Sequence, residues 1–260
     1  MSPLLKNSKG EFFLDYEDFE AKCAEPKCKV VIWCNPHNPT GRVWAEEELS
    51  RIAEIVQKYN LWIISDEIHC DLTRCCYTHT PMAKIMPDYP KLITCMAPTK
   101  TFNFAGLAFS NVLIRDKETR QLFKDRDKMA GMLNPISLTA AKAAYDKGGN
   151  WHKALKVYLD DNFEFVKDYL TKYIPKAVMN IPEATYLAWV DLSAVLPDVD
   201  DLPSFFANKA GVLLEGGDEI FVGNAKGYIR LNLAMPRAVI ETGLKRMYEA
   251  IQMNNSSHLK

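Results

Sequence analysis

Three short apolar runs punctuate the first hundred residues: Val30 to Cys34, Leu61 to Ser65 and Leu92 to Met96. Each is too short for a helix and lacks alternation, which predicts strands buried on both faces of a parallel sheet. Between the first two, Leu49, Ile52, Ile55 and Val56 recur at helical spacing behind Glu46, Glu47 and Glu48, acids that suit the positive end of a helix. Strand, helix and strand in that order make a βαβ crossover. The pattern predicts a helix from Asp15 toward Lys22, a strand over Gly106 to Arg115 and a charged helix over Lys117 to Met129. A helix from Asn134-Pro135 to Tyr145 follows, stopped by Gly148-Gly149, and then a long one from Trp151 to about Tyr173 that Pro175 ends. Beyond it come strands at Lys176 to Val178 and Thr185 to Asp191, a helix from Leu202, strands at Val212 to Leu214 and Tyr228 to Leu233, and a closing helix from Pro236. Residues Asn254 to Lys260 read as a disordered tail. The expected architecture is α/β over residues 1–150, followed by a smaller α+β domain over 151–260.

Composition narrows the partners. With 260 residues, 48% of them apolar, a sizeable core is within reach. Thirty-two basic residues against 33 acidic ones leave a net charge of −1. Such a balance gives no electrostatic reason to expect nucleic acid or an acidic membrane, and favours a small neutral or zwitterionic partner. No stretch has the form of a signal peptide or spans a bilayer, so the expected compartment is the cytoplasm. The seven cysteines are odd in number and irregularly spaced, with Cys34 and Cys95 inside apolar runs, and are expected to be reduced thiols.

Candidate chemistry collects at the carboxyl ends of the predicted strands, where open α/β sheets place their ligands. The first strand delivers NPHNPTG (35–41), whose prolines restrict the backbone and hold Asn35 and Asn38 in place. The second delivers SDEIH (65–69), with Asp66 at the strand end and His69 three residues on. The third delivers APTKTFNFAG (97–106), with Lys100 among Pro98, Thr99, Thr101 and Asn103 in what reads as a tight polar loop. A loop lysine is ordinarily solvated, but partial desolvation at a strand end would lower its pKa and make it a nucleophile for an aldehyde. His69, Cys70, Cys75, Cys76 and His79 suggest zinc, yet the cysteines lack paired Cys-x-x-Cys spacing. Two of them are adjacent, where neighbouring side chains on a strand point to opposite faces, so no metal is expected. Arg230 lies between Ile229 and Leu231, which points to a partly buried charge in need of a partner.

NPHNPTG, SDEIH, APTKTFNFAG and YIRLNLAMPR (228–237), in that order, resemble the pyridoxal-phosphate enzymes of aminotransferase fold type I, class I/II. GRVW at 41–44, the histidine of DEIH, the Phe-Asn pair after the lysine, NFEFVKDYL at 162–170 and PEATYLAWVD at 182–191 look like its C–S β-lyase branch, the cystathionine β-lyases that include the maltose-regulon modulator type. The resemblance implies a mainly parallel sheet with helices on both faces, as an incomplete large domain that binds pyridoxal 5′-phosphate, plus the small C-terminal domain. It implies that Lys100 holds the cofactor as a Schiff base and moves the substrate Cα proton, and that Asp66 pairs with the pyridine nitrogen. Asn38 would bond the cofactor's 3′-oxygen with His69 sharing that bond, Thr99 would offer its hydroxyl to the phosphate, and Arg230 would grip the substrate α-carboxylate. The implied reaction is β-elimination from an S-substituted cysteine such as cystathionine, giving thiol, pyruvate and ammonia. An aminotransferase, or a non-catalytic regulatory partner that keeps the fold, is the alternative. Family members are considerably longer at the N-terminal side and carry the phosphate cradle and a ring-stacking aromatic there; a homodimer is expected of the full-length form.

Overall fold

The computed structural model describes residues 2–127, 133–218, 220, 221, 223 and 225–257. A hairpin opens the chain, with β1 (Leu4–Lys6) antiparallel to β2 (Phe12–Leu14). Helix α1 (Tyr16–Ala24) starts where the Asp15 carboxylate accepts the amides of Glu17 and Asp18. Strand β3 (Val30–Cys34), helix α2 (Glu46–Lys58), strand β4 (Trp62–Asp66), the single turn α3 (Met82–Ile85) and strand β5 (Leu92–Met96) then build three parallel strands. Lys100 lies not in an irregular loop but in a one-turn helix, α4 (Pro98–Thr101), which Pro98 starts because its fixed φ suits a first helical position. The long strand expected over Gly106 to Arg115 is only β6 (Asn111–Leu113), antiparallel to β5 and preceded by a 3-10 turn at Ala105–Leu107. The sheet order is β3-β4-β5-β6.

Helix α5 (Lys117–Arg126) is capped by Asp116; Met129, the end expected from the sequence, lies outside the described residues. Asn134 caps α6 (Pro135–Lys147), and α7 (Gly149–Tyr173) follows at once. The remaining strands, β7 (Val178–Met179), β8 (Leu187–Asp191), β9 (Glu215–Gly216) and β10 (Tyr228–Asn232), form an antiparallel sheet in the order β7-β8-β10-β9. Helices α8 (Leu202–Ala210) and α9 (Arg237–Ser257) pack on it. Two expectations change here. Val212 to Leu214 is not a strand, the pairing beginning at Glu215, and residues 254–257 of the expected tail continue α9, the rest of that tail, 258–260, lying outside the described residues.

Two cores result. One gathers Trp33, Trp44, Leu49, Ile52, Val56, Ile63 and Met82 around α2 and the parallel sheet; the other gathers Phe163, Val166, Leu170, Val190, Phe206, Ile229 and Leu244 around the antiparallel sheet. Each fully buried aliphatic side chain contributes roughly 1.5–3 kcal/mol. The expectation that β3 is buried on both faces fails. Val31 and Trp33 are buried, but Val30 and Ile32 are 45% and 72% exposed, because β3 is an edge strand and the face they share is uncovered.

Several bonds tie the two cores together. Ala184 N–H donates to the Gly41 carbonyl (2.8 Å) and Thr185 N–H to Leu72 (2.9 Å). Val43 N–H donates to the Glu183 carboxylate (2.6 Å), a group that burial pushes above its usual pKa. Lys6 Nζ reaches Asp191 (3.0 Å) and the Tyr228 hydroxyl (2.7 Å).

Candidate active site

Parallel register aligns the strand ends: Cys34 pairs with Asp66, and Asp66 with Cys95. The three motif-bearing loops therefore leave one edge of the sheet side by side. In the first loop Asn35 is a structural residue, 1% exposed. Its side-chain oxygen accepts from Trp44 N (3.3 Å) and its amide donates to the Thr80 carbonyl (3.1 Å). The turn closes through Gly41 N–H to His37 O (2.6 Å) at a glycine with φ +70°, leaving Asn38 free to reach across to the other core. In the second loop Asp66 Oδ1 accepts the Ile68 amide (3.2 Å), which aims the chain toward His69.

Asn38, His69 and Lys100 share a cavity of about 870 Å³ with Tyr186, Glu215 and Arg230. Asp66 and Thr99 are not among its lining residues. Asp66 is partly exposed at the end of β4, and Thr99 is buried in α4 beside Lys100. Arg230 Nη1 donates to Asn38 Oδ1 (2.8 Å), its Nη2 pairs with the Glu215 carboxylate, and its guanidinium sits 5.1 Å from the centre of the Phe221 ring. The partner required for a half-buried arginine is thus supplied from both cores, and burial draws its pKa below the ordinary value. His69 is 2% exposed, and its ring stands edge-on to Tyr186 at 5.8 Å. Burial, then the positive charges of Lys100 and Arg230, push its pKa down to about 4, so at neutral pH it is an uncharged imidazole. Its Nδ1 is buried without a hydrogen-bond partner. Such an atom is expensive to leave unmet and is suited to a polar group of a ligand. Burial likewise raises the Tyr186 phenol.

Sequence reasoning missed three participants. Tyr186 was seen only as part of a longer stretch, although it immediately precedes the strand that lies beside Arg230. Glu215 was missed because its strand is two residues long. Glu67 is fully buried, and its carboxylate accepts from Ser65 Oγ (2.9 Å), from Met82 N–H (3.0 Å) and bonds His79 Nε2 (2.8 Å). Nothing in the bare string Asp-Glu-Ile-His distinguishes this inward acid from an exposed one. The network pins the 67–82 segment under the site and gives His79 a carboxylate partner. Among the described residues no group of three His, Cys, Asp or Glu side chains is arranged to hold a metal ion, and no helix is long and apolar enough to cross a membrane.

A mostly parallel sheet with a lysine, a carboxylate and an asparagine at its strand ends, joined to an arginine from an antiparallel sheet, defines a class that comparison identifies. The chain belongs to the family described as Aminotransferase class I and II, whose match runs over residues 4–247. Within it the chain is 37% identical to cystathionine beta-lyase PatB of Bacillus subtilis over 96% of its own length and 65% of that protein's. It is 32% identical to protein MalY of Escherichia coli over 97% of this chain and 65% of that one. The crystal structure of a PLP-bound C-S lyase from Staphylococcus hominis superposes with a TM-score of 0.91 at 46% identity, covering 96% of this chain and 64% of that one. The chain thus spans about 65% of the length of these two relatives.

Proposed function

We propose that the chain carries the catalytic lysine and substrate-anchoring half of a pyridoxal-phosphate-dependent C–S β-lyase acting on an S-substituted cysteine. The observation that carries the reading is the meeting of Lys100, His69, Asn38 and Arg230 around one cavity, in a chain similar to cystathionine β-lyases. The donor set suits the cofactor: an amine for its aldehyde at Lys100, a carboxylate at Asp66 for its ring nitrogen, a hydroxyl at Thr99 for its phosphate, and an amide at Asn38 with the unmet Nδ1 of His69 for its ring oxygen. When bound, the cofactor supplies an electron sink for the pair left at Cα. Arg230 orients the substrate by its α-carboxylate, in competition with Glu215 and with Asn38 already holding the other edge of the fork. Lys100 Nζ takes the Cα proton, and the neutral His69 adds no positive charge to the cavity it shares with Arg230. Apolar walls from Leu214 and Met247 limit water around the sulfur substituent.

On the same reading residues 1–150 are part of the cofactor-binding domain and 151–260 the small domain, the compartment is the cytoplasm, and the full-length protein is a homodimer. The test is incubation of the protein with pyridoxal phosphate and then cystathionine. We expect a yellow protein whose colour is lost in Lys100→Ala, and release of pyruvate and thiol with no keto-acid acceptor. Turnover that requires an acceptor would assign an aminotransferase instead. A protein that stays colourless with added cofactor would assign a non-catalytic role.

A further inference from the structure

The adjacent cysteines set aside as zinc ligands are not on a strand. Cys75 and Cys76 occupy the middle of a turn closed by Tyr77 N–H to the Arg74 carbonyl (3.0 Å), and their sulfurs lie 3.5 Å apart. Both are exposed, whereas Cys23 is buried and Cys28, Cys34, Cys70 and Cys95 are half-buried. Burial raises the thiols of Cys23, Cys34, Cys70 and Cys95 above their ordinary values, and the neighbouring Cys75 raises that of Cys76, so exposure and adjacency are what set the pair apart.

The turn is clamped on both sides. Before it, Arg74 N–H donates to the Glu183 carbonyl (2.9 Å) and its guanidinium pairs with Asp160 (3.3 Å). After it, His79 bonds the buried Glu67, and the Thr80 carbonyl accepts from Asn35 (3.1 Å). The backbone that carries the two thiols is therefore held from both sides, and the adjacent sulfurs leave it side by side.

That spacing suits a chelated centre. It is far longer than a disulfide bond of about 2.0 Å, and neighbouring Cα atoms about 3.8 Å apart lie below the unstrained range for one. It is too short for a linear two-coordinate centre, whose sulfurs would stand about 4.6 Å apart with bonds of about 2.3 Å. Two such bonds meeting at roughly 100° span it, which is the angle of a pyramidal centre. A zinc ion would need two more side chains, and none completes a group of three among the described residues. His79 is committed to Glu67. A three-coordinate centre that brings its own third substituent needs only the two thiols.

We propose that Cys75 and Cys76 form a chelating site for a trivalent, pyramidal thiophilic centre of the organoarsenical class. In the ligation step two S–H bonds break and two As–S bonds form. The oxide oxygen of the arsenical leaves as water with both protons, and no oxidation state changes.

The test is treatment of the reduced chain with phenylarsine oxide, followed by intact-mass and peptide mass spectrometry. We expect one phenylarsenic group per chain on the peptide containing Cys75 and Cys76, resistant to excess 2-mercaptoethanol and released by 2,3-dimercaptopropanol. Cys75→Ser and Cys76→Ser, exposed changes that should leave the fold intact, should each weaken capture roughly a hundredfold through loss of the chelate. Cys28→Ser should capture as the parent does. Undiminished capture in either single variant of the pair, or an adduct mapped elsewhere, overturns the site. Retention of zinc alone by the parent after dialysis overturns the assignment to a three-coordinate centre.

Discussion

His69 shows how one side chain's surroundings become a property of the protein. Its pKa is about 6.5 in an unfolded chain and about 4 in the fold, through burial first and the charges of Lys100 and Arg230 second. Between those values the folded state binds fewer protons than the unfolded one, so its stability falls as the pH falls. The contribution is complete above about pH 6.5 and is lost as the pH drops through 4, amounting to about 3 kcal/mol. Urea unfolding of the ligand-free chain at pH 7.5 and pH 4.5 should show most of this loss, about 2.5 kcal/mol, and His69→Gln should lose less by about that amount. An unchanged pH slope in the variant would mean that His69 titrates as a solvent-exposed histidine does. Asn38, His69, Lys100 and Arg230 were legible in the sequence because each stands at a strand end or between apolar neighbours. Glu67 was not, since the partners that keep it buried, Ser65, His79 and the Met82 amide, meet it only after the chain has turned back through residues 67–82.

At the scale of elements, the apolar runs located β3, β4 and β5 closely, the acids Glu46 to Glu48 ahead of a helical apolar spacing located α2, and Asn134-Pro135 marked the start of α6. The hairpin β1–β2 and the two-residue β9 escaped because strands this short carry too few side chains for a period to show. The same limit cut β6 to three residues, since GLAFSNVLIR reads as one strand while a 3-10 turn occupies its start. NPHNPTG forms the turn its prolines suggest, but the reason for its last residue lies in the other core. A Cβ on Gly41 would stand 2.3 Å from the Pro182 side chain and 2.7 Å from the Ala184 carbonyl, at a φ that side chains rarely adopt. Gly41→Ala should therefore cost about 2–4 kcal/mol by thermal or urea unfolding. It should also disturb the Asn38–Arg230 contact. A variant as stable as the parent would show that the two cores slide past each other freely.

For the whole molecule, the feature least readable from sequence is which apolar strands are covered. VVIWC looks the same whether one face or both are packed, and only the assembled sheet shows Val30 and Ile32 open on an edge strand, with Val112 and Leu113 partly open on the opposite edge. Uncapped edges with exposed apolar residues are templates for further pairing. The chain on its own should accordingly self-associate at micromolar concentration in sedimentation velocity. Ile32→Lys, a charge of the kind natural edge strands use, should shift it toward monomer. A parent that sediments as a single monomeric species at those concentrations would refute this.

The bond between Asn38 and Arg230 spans 192 residues of sequence. A ribosome delivers Asn38, Asp66, His69 and Lys100 first and the arginine long afterwards, and the intervening loop must close before the two can touch. A nascent chain can thus fold its parallel strands and present its lysine before it owns a grip for a carboxylate, and competence to hold an amino acid arrives only when β10 emerges and docks.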